Sequence, residues 1–203
     1  MLEVLAALGG ANLIRTRAGA RHVLAVPAVR SLADHPALVE IARGYVGSQA
    51  FAFRATLFDK SAVSNWLVPW HQDTALPIKS RTDAPGWGPW SIKGGVLHAI
   101  APAAALERVI ALRVHLEDSD ADNGPLRVLP RTHMNGILRH EEIEKLALTV
   151  APVDCVTDAG GVVSMRPLAV HASSKALTDR PRRVLHIEFA AAASLAGGEL
   201  AFG

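Results

Sequence analysis

Two residues that could bind a metal ion stand close together in an apolar, aromatic stretch of the chain, residues 66–74. They are His71 and Asp73, separated by Gln72. Side chains on a β-strand alternate between its faces, so His71 and Asp73 would point one way and Gln72 the other. One imidazole and one carboxylate are two of the three protein ligands in the facial site of non-haem Fe(II) oxygenases. The spacing therefore predicts a metal site that lacks only a second histidine.

The second histidine is expected far along the chain, on another strand of the same barrel. We assign it to His171, which follows a run of small and apolar residues, 167–170. A short apolar run of this kind is consistent with a strand in a sheet core. Taken alone, His71 could equally be a hydrogen-bonded core histidine, and His171 alone would be a structural residue. The hypothesis depends on their combination with Asp73.

Length and composition limit the class of protein. A chain of 203 residues predicts a single domain, residues 1–203, and 50% hydrophobic residues are enough for a sizeable core. A formal net charge of +2, with no basic run containing aromatics, argues against a nucleic-acid partner. The single cysteine, Cys155, excludes an internal disulfide and fits a reducing compartment. Since no apolar run approaches about 18 residues, we expect a soluble, cytoplasmic protein that contacts no membrane.

The elements that must position these residues are mostly strands. Short apolar or alternating segments between Gly and Pro turns predict strands at residues 50–58, 95–100, 109–116, 125–130, 148–153, 161–166 and 182–190. Helical spacing of apolar residues predicts an amphipathic helix over residues 31–46, with Ser31 as its N-cap. A charged helical turn is expected at residues 140–147. Together these elements predict a mainly β, double-sheet jelly roll with a few flanking α-helices.

Residues 74–97 are rich in Pro, Gly and Trp, which predicts a loop of more than 20 residues. A loop of that length in a compact domain is usually functional, and this one begins directly after Asp73. We interpret it as a lid or a wall of the substrate site. The alternative is a surface excursion that its tryptophans hold in place. The candidate substrate contacts are Trp87, Trp90, Lys93 and His98.

Two further segments give the pattern a recognisable order. The run Asn-Gly-Pro-Leu-Arg-Val-Leu-Pro-Arg-Thr-His occupies residues 123–133, and Arg182 follows His171 by 11 residues. With His-Gln-Asp before them, these motifs make the chain resemble the phytanoyl-CoA dioxygenase family from about Asn65 to Phe189. The resemblance implies a double-stranded β-helix, a cupin-like jelly-roll barrel, and an oxygenase that depends on Fe(II) and 2-oxoglutarate.

The resemblance also implies roles for individual residues. The residues that would bind Fe(II) are His71, Asp73 and His171. Arg182 would pair with the distal carboxylate of 2-oxoglutarate, and Ser173 would add a hydroxyl to it. A planar guanidinium suits this role because it binds a carboxylate through two parallel hydrogen bonds. Arg113 is a candidate second contact to the co-substrate. O2 is the oxidant, with ascorbate as a supporting reductant.

The choice between Arg182 and Arg183 depends on which face of strand 182–190 looks into the barrel. Arg182 shares a face with His186, and Arg183 shares the other with Leu185. A polar lumen would contain the first face. The reverse arrangement would bury the Leu185 face and leave Arg182 in solvent. The spacing of the family favours Arg182.

The expected reaction is hydroxylation of a C–H bond in a small-molecule substrate, with release of succinate and CO2. Asp73 favours hydroxylation over halogenation, because related halogenases lose this carboxylate so that halide can bind. Two alternatives stay open. One is a metal-dependent isomerase or hydrolase on a cupin-like barrel, which needs no Arg182. The other is a non-catalytic metal- or ligand-binding protein that keeps the fold.

Overall fold

The computed structural model describes residues 1–13, 15–16 and 18–202. Its α-helices are α1 (Leu2–Gly10), α2 (Pro27–Ala33), α3 (Pro36–Val46), α4 (Ala103–Leu106) and α5 (His140–Thr149). Short 3-10 helices cover Val23–Ala25 and Thr132–Asn135. Within the described residues, every helix is too short or too polar to traverse a lipid bilayer.

The strands follow one another along the whole chain. They are β1 (Arg15–Thr16), β2 (Gly19–Ala20), β3 (Phe51–Lys60), β4 (Val68–His71), β5 (Ala75–Pro77), β6 (Trp90–Lys93), β7 (Val96–Ile100), β8 (Val109–His115), β9 (Leu126–Val128), β10 (Val153–Cys155), β11 (Val162–Met165), β12 (His171–Ser173), β13 (Arg182–Ala190), β14 (Ser194–Leu195) and β15 (Gly198–Glu199).

Two antiparallel sheets form the main body. The larger has the order β1-β2-β3-β13-β8-β11, and the smaller has the order β10-β9-β12-β4. A three-stranded sheet, β5-β7-β6, and the hairpin β14-β15 complete the described strands. Neighbours in each sheet come from distant parts of the chain, as in a jelly roll. The predicted mainly β fold with a few flanking helices is confirmed.

The helices α1, α2 and α3 cover one face of the larger sheet. Alternate residues of β13, namely Leu185, Ile187 and Phe189, are fully buried in this layer. The helices contribute Val4, Leu8, Val29, Ala33, Leu38 and Ala42 to the same apolar core. Each fully buried aliphatic or aromatic side chain stabilises the fold by about 1.5–3 kcal/mol. The opposite face of β13 is therefore left to line the interior between the two sheets.

The helix predicted over residues 31–46 is two helices. Pro36 begins α3, and the residue before a proline is driven out of the helical conformation, so α2 ends at Ala33. His35 is the N-cap of α3, where its Nδ1 accepts a hydrogen bond of 3.3 Å from the Ala37 N–H. Ser31 lies inside α2 and caps nothing.

The segment 74–97 is more ordered than its composition suggests. Strands β5 and β6 lie within it, and both pair with β7. The irregular part is residues 78–89. The glycines and prolines of this segment mark the turns between short strands, which a composition-based reading merges into one loop.

A strand predicted at residues 148–153 is wrong. Helix α5 continues to Thr149, and the strand that follows, β10, starts only at Val153. The helix persists because Ile143 and Leu146 lie on one side of it and pack into a small apolar cluster with Leu129.

Truncation of the buried side of β13 should destabilise the protein strongly. We expect Phe189→Ala to lower the free energy of unfolding by about 3–5 kcal/mol, because it removes packing and leaves a cavity. Leu177→Ala is the control, since Leu177 is 83% exposed and should change stability by less than about 0.5 kcal/mol. Urea denaturation followed by circular dichroism measures both, and equal midpoints would contradict the assignment of this core.

Candidate active site

The pairing of β4 with β12 brings the two predicted histidines together. The antiparallel register places His171 directly opposite His71, with imidazole centroids 4.2 Å apart. Asp73 lies just beyond the end of β4, and its backbone N–H donates a hydrogen bond of 2.9 Å to the Pro167 carbonyl. That bond holds the Asp73 segment beside the chain that leads into β12.

The three side chains converge on one point. The Nε2 atom of His171 is 3.5 Å from one carboxylate oxygen of Asp73, and that of His71 is 3.7 Å from the other. The nearest ligand atoms of all three residues lie within 4.8 Å of one another. The separation suits three donors around a single ion.

Backbone carbonyls determine which nitrogen of each histidine is free. The Nδ1 atom of His71 is 2.8 Å from the Pro69 carbonyl, and that of His171 is 2.9 Å from the Ala169 carbonyl. A carbonyl oxygen only accepts hydrogen bonds, so Nδ1 must carry the proton in both rings. Each Nε2 then presents a lone pair toward the common point, which is the orientation that metal-binding histidines adopt.

The electrostatic surroundings favour the protonation states that a metal requires. Burial lowers the pKa of His171 to about 4, so its ring is neutral at pH 7. Burial alone would raise the pKa of the Asp73 carboxyl, but the nearby imidazoles of His171, His186 and His71 lower it to about 2. A neutral imidazole at His171 and an ionised carboxylate at Asp73 fit a ferrous ion, which this nitrogen and oxygen donor set suits.

Gln72 points away from the ligands, as the alternation along β4 predicts. Its side-chain amide donates to the carbonyls of Gly136 at 2.8 Å and Leu168 at 2.7 Å. Its amide oxygen accepts from the Leu138 N–H at 2.8 Å. Gln72 lies between His71 and Asp73 in the sequence. Its hydrogen bonds therefore hold this part of the backbone in place and restrict how far either ligand can move.

A cavity of about 90 Å³ opens beside the three candidate ligands. Its apolar walls are formed by Phe58, Trp66, Val68 and Leu126, and its polar groups are Ser173, Arg113 and Arg182. We call it the co-substrate pocket. The residues that the resemblance implies for 2-oxoglutarate thus lie together in one enclosed space next to the candidate metal site.

Arg182 points into this pocket and is only 2% exposed. Its Nε donates to the Asn123 carbonyl at 3.3 Å, and one terminal nitrogen donates to the Ser173 hydroxyl at 3.5 Å. The other terminal nitrogen, Nη1, is buried and has no hydrogen-bond partner among the described residues. Arg183 points outward instead and pairs with Glu117. The first of the two arrangements considered for this strand is the one the protein adopts.

Arg113 approaches the same pocket from β8. Its Nη1 donates to His186 Nδ1 at 3.1 Å, and its guanidinium lies 5.2 Å from the centre of the Phe58 ring. Its Nε is buried without a hydrogen-bond partner in the described part of the chain. A buried N–H that lacks an acceptor is costly, so both arginines have unused capacity to bind an anion.

Lys60 is a third buried cation, adjacent to this pocket but outside its lining, and the sequence analysis does not identify it. The side chain is fully buried, donates to the Ser173 hydroxyl at 2.9 Å and to the Ser174 carbonyl, and lies 5.2 Å from the Trp66 ring centre. It stands opposite Arg182 in the pairing of β3 with β13. Its position on the same face of β3 as Phe58 is a signal that strand alternation could have used.

The charges around the pocket are positive and would be stabilised by a bound anion. Among the described residues, neither Lys60 nor Arg113 nor Arg182 forms an ion pair with a carboxylate. Buried charges are normally paired, and unpaired ones are strongly destabilising. Two lining guanidinium groups with free N–H groups, and a third buried cation next to them, therefore fit a small dianion such as 2-oxoglutarate.

A second cavity, of about 350 Å³, lies on the other side of the candidate ligands. Two of the four predicted substrate contacts, Lys93 and His98, line it. Trp87 does not reach either cavity: its indole N–H donates to the Ala196 carbonyl at 3.0 Å and its ring packs in an apolar cluster. Trp90 is likewise outside both linings and lies against Arg81. Trp87 therefore anchors the segment that carries it, and contact of either tryptophan with a substrate stays a prediction.

The sequence of this chain was compared with family models and with curated proteins. A family model described as phytanoyl-CoA dioxygenase matches residues 14–184, which is most of the chain. No curated protein matches the chain at a significant level.

Several solved structures share the fold. EctD from S. alaskensis, in a structure with 2-oxoglutarate and 5-hydroxyectoine, is 18% identical with a TM-score of 0.68, and the match covers 93% of this chain and 64% of EctD. ThoJ, described as a non-heme monooxygenase, is 20% identical with a TM-score of 0.69, covering 99% of this chain and 75% of ThoJ. SnoN, a non-heme alpha-ketoglutarate-dependent epimerase from nogalamycin biosynthesis, is 20% identical with a TM-score of 0.66. The match covers 93% of this chain and 69% of SnoN. At these identities the likeness establishes the cupin-like fold.

The chain is shorter than several of these structures. It spans 35% of the length of EvdMO1 and 66% of that of AviO1 from Streptomyces viridochromogenes Tue57.

Loss of a single candidate ligand should remove metal binding. We expect His171→Ala to weaken binding of Fe(II) or Co(II) by more than about 100-fold, because loss of supporting groups alone costs about 10–100-fold. His140→Ala is the matched control, since His140 is exposed and its side chain pairs with Glu144 on the same helix. Metal content after dialysis and a cobalt titration measure the difference. Equal metal content in the two variants would contradict the proposed site.

Proposed function

The chain belongs to the phytanoyl-CoA dioxygenase family, and from that premise we propose that it is a non-haem dioxygenase that depends on Fe(II) and 2-oxoglutarate. The observation that carries the proposal is the adjacency of two features. His71, Asp73 and His171 present three converging donors, and a pocket beside them holds buried cations with unused N–H groups. A facial set of two histidines and one carboxylate leaves positions open on the metal.

The metal would be held by the Nε2 atoms of His71 and His171 and by the Asp73 carboxylate. When bound with O2, iron and 2-oxoglutarate supply the oxidising power for an unactivated C–H bond, and the co-substrate leaves as succinate and CO2. The protein contributes position and environment. The Pro69 and Ala169 carbonyls keep both rings in the metal-binding tautomer, and the Gln72 hydrogen bonds hold β4 in place.

The co-substrate would be held by charge and exclusion of water. Arg182 offers a free terminal N–H to a carboxylate. The Ser173 hydroxyl accepts from Arg182 and Lys60 and donates to the Gly124 carbonyl, so it positions Arg182, and Lys60 adds positive charge from behind it. Arg113 offers a second buried guanidinium N–H. In an apolar, enclosed pocket each of these hydrogen bonds is stronger than in water.

Hydroxylation is the outcome that we propose for the small-molecule substrate. Asp73 occupies the position where a halogenase would need space for halide, and its carboxylate lies among the candidate ligands. SnoN shares the fold and is described as an epimerase, so the products must be identified directly. A product that gains one oxygen atom supports hydroxylation, whereas an isomer of unchanged mass supports epimerisation.

The two alternatives do not account for the co-substrate pocket. An isomerase or hydrolase on this barrel would use the metal but would have no need of three buried cations beside it. A non-catalytic relic would be free to lose them, because unpaired buried charges reduce stability. We also propose a cytoplasmic location, since the single cysteine, Cys155, is a free thiol.

Turnover of the co-substrate tests the proposal. Purified protein with Fe(II), O2, ascorbate and 2-oxoglutarate should release succinate, and Arg182→Gln should weaken 2-oxoglutarate binding by more than about 30-fold, since truncating a buried charged partner costs about 2 kcal/mol or more. Arg183→Gln is the control, because Arg183 lies outside the lining of the co-substrate pocket and pairs with Glu117, so its loss should leave 2-oxoglutarate affinity unchanged. Equal affinity in both variants, or no succinate in any condition, would refute the function.

The affinity for 2-oxoglutarate should also depend on pH through Lys60. Burial and the nearby Arg182 lower the pKa of Lys60 to about 8, so its ammonium group loses its proton as the pH rises from 7 to 9. A dianion binds the ammonium better than the amine, so affinity should fall over this range by up to about tenfold. Isothermal titration of zinc-loaded protein measures it. The fall should be absent in Lys60→Met, and parallel profiles would show that Lys60 takes no part.

A further inference from the structure

The second cavity lies where a primary substrate would reach the metal, and its charges are distinctive. His71 and Asp73 border it on one side, opposite the co-substrate pocket. At about 350 Å³ it is near the lower end of the size of ligand pockets in proteins, about 300–1,000 Å³. We call it the substrate cavity. Its size suits a small molecule.

The innermost charges of the substrate cavity neutralise each other. Arg54 on β3 forms a two-point ion pair with Glu188 on β13, and it also donates to the Ala75 carbonyl at 3.2 Å. Both charged side chains are largely buried. This pair adds no net charge, so the charge that a ligand must complement is set by the other residues of the cavity.

Apart from the Asp73 carboxylate, which is a candidate metal ligand, those other charges are two cations at the mouth, Lys93 and Arg21. The side chain of neither residue has a hydrogen bond or an ion pair with any described residue. The segment that carries Arg21 packs on the turn after Lys93, since a Cβ atom placed on Gly94 would lie 2.9 Å from His22 Nε2. Burial and the nearby guanidinium groups of Arg21 and Arg54 lower the pKa of Lys93. Two unpaired cations are thus held beside one another where a ligand enters.

A neutral acceptor lies deeper in the substrate cavity. His98 is 1% exposed, and its Nδ1 donates to the Val96 carbonyl at 2.9 Å, which leaves Nε2 to accept a hydrogen bond. The cavity therefore offers positive charge at its mouth and a hydrogen-bond acceptor inside, next to the candidate metal ligands.

We propose that the primary substrate is a small organic acid whose anionic group, a carboxylate or a phosphate, is held by Lys93 and Arg21, with the rest of the molecule reaching toward His71 and Asp73. This inference rests on the proposed function for the identity of the cavity. Its physical basis is that like charges repel unless an anion lies between them, and that an ammonium and a guanidinium both bind oxyanions.

Small fluorinated probes test the proposal without turnover. The probes are trifluoroacetate, its neutral counterpart trifluoroacetamide, and trifluoromethylphosphonate, all small enough for the cavity. The protein is loaded with zinc and saturated with 2-oxoglutarate, so that no reaction occurs and the co-substrate pocket is filled. Fluorine NMR line broadening gives the dissociation constant of each probe.

We expect at least one anionic probe to bind about tenfold more tightly than the amide. Lys93→Gln and Arg21→Gln should each weaken that anion about fivefold, and the double variant should bind anion and amide equally. Lys93→Arg, which keeps the charge, should retain the preference. Lys79→Gln is the matched control, because Lys79 is an exposed lysine paired with Glu199 and should have no effect. The carboxylate and phosphonate arms decide which anionic group the mouth prefers.

Two results would overturn the inference. One is equal binding of the anions and the amide to the unaltered protein. The other is an anion preference that survives in the Lys93→Gln, Arg21→Gln double variant, which would place the anion away from these two cations. Failure of the proposed function is read separately, as absence of 2-oxoglutarate binding, and it would leave the effects of Lys93→Gln and Arg21→Gln measurable. Melting temperatures of the variants confirm that these part-exposed or exposed substitutions leave the fold intact.

Discussion

The antiparallel pairing of β4 with β12 is the interaction on which the rest of the site depends. It sets His71 across from His171, and the hydrogen bond from Asp73 to the Pro167 carbonyl adds the third donor at the same end of the strand pair. A shift of one residue in this register would turn one imidazole to the opposite face of the sheet. The Gln72 side chain works against such a shift, because its three hydrogen bonds tie β4 to segments outside the sheet. Specific polar contacts thus maintain the register of β4 and β12, and this register determines whether the candidate ligands meet.

Strand alternation explains why much of the site can be predicted from the sequence. It predicts that His71 and Asp73 share a face, and that Arg182 belongs with the polar residues of its strand rather than with Leu185. In the structure β4 ends at His71, yet the ligand atoms of His71 and Asp73 converge, and Arg182 lines the pocket while Leu185 lies in the apolar core. Alternation is a local rule, however, and it does not say which strands become neighbours. Lys60 comes close to the pocket only because β3 pairs with β13, and Arg54 meets Glu188 for the same reason.

The differences between the predictions and the structure have physical causes of a different kind. Pro36 divides the expected helix because its ring restricts the residue before it, a local effect that outweighs the apolar periodicity around it. Trp87 and Trp90 are large aromatic residues in a segment close to the ligands, which makes them natural candidates for substrate contacts. The indole of Trp87 is instead used to anchor the chain on the Ala196 carbonyl. Composition identifies residues that can bind a ligand, but only tertiary packing determines which of them are already occupied.

The buried cations of the co-substrate pocket have a consequence for how the protein can change in evolution. Replacement of Lys60, Arg113 or Arg182 by an apolar residue of similar size would remove an uncompensated interior charge, and such replacements commonly make a protein more stable. The same replacements would deprive the pocket of the groups that face an incoming anion. At these three positions, a substitution that increases the stability of the fold would therefore weaken the binding of an anion. A lineage selected for durability alone would be expected to lose them before it lost any part of the apolar core.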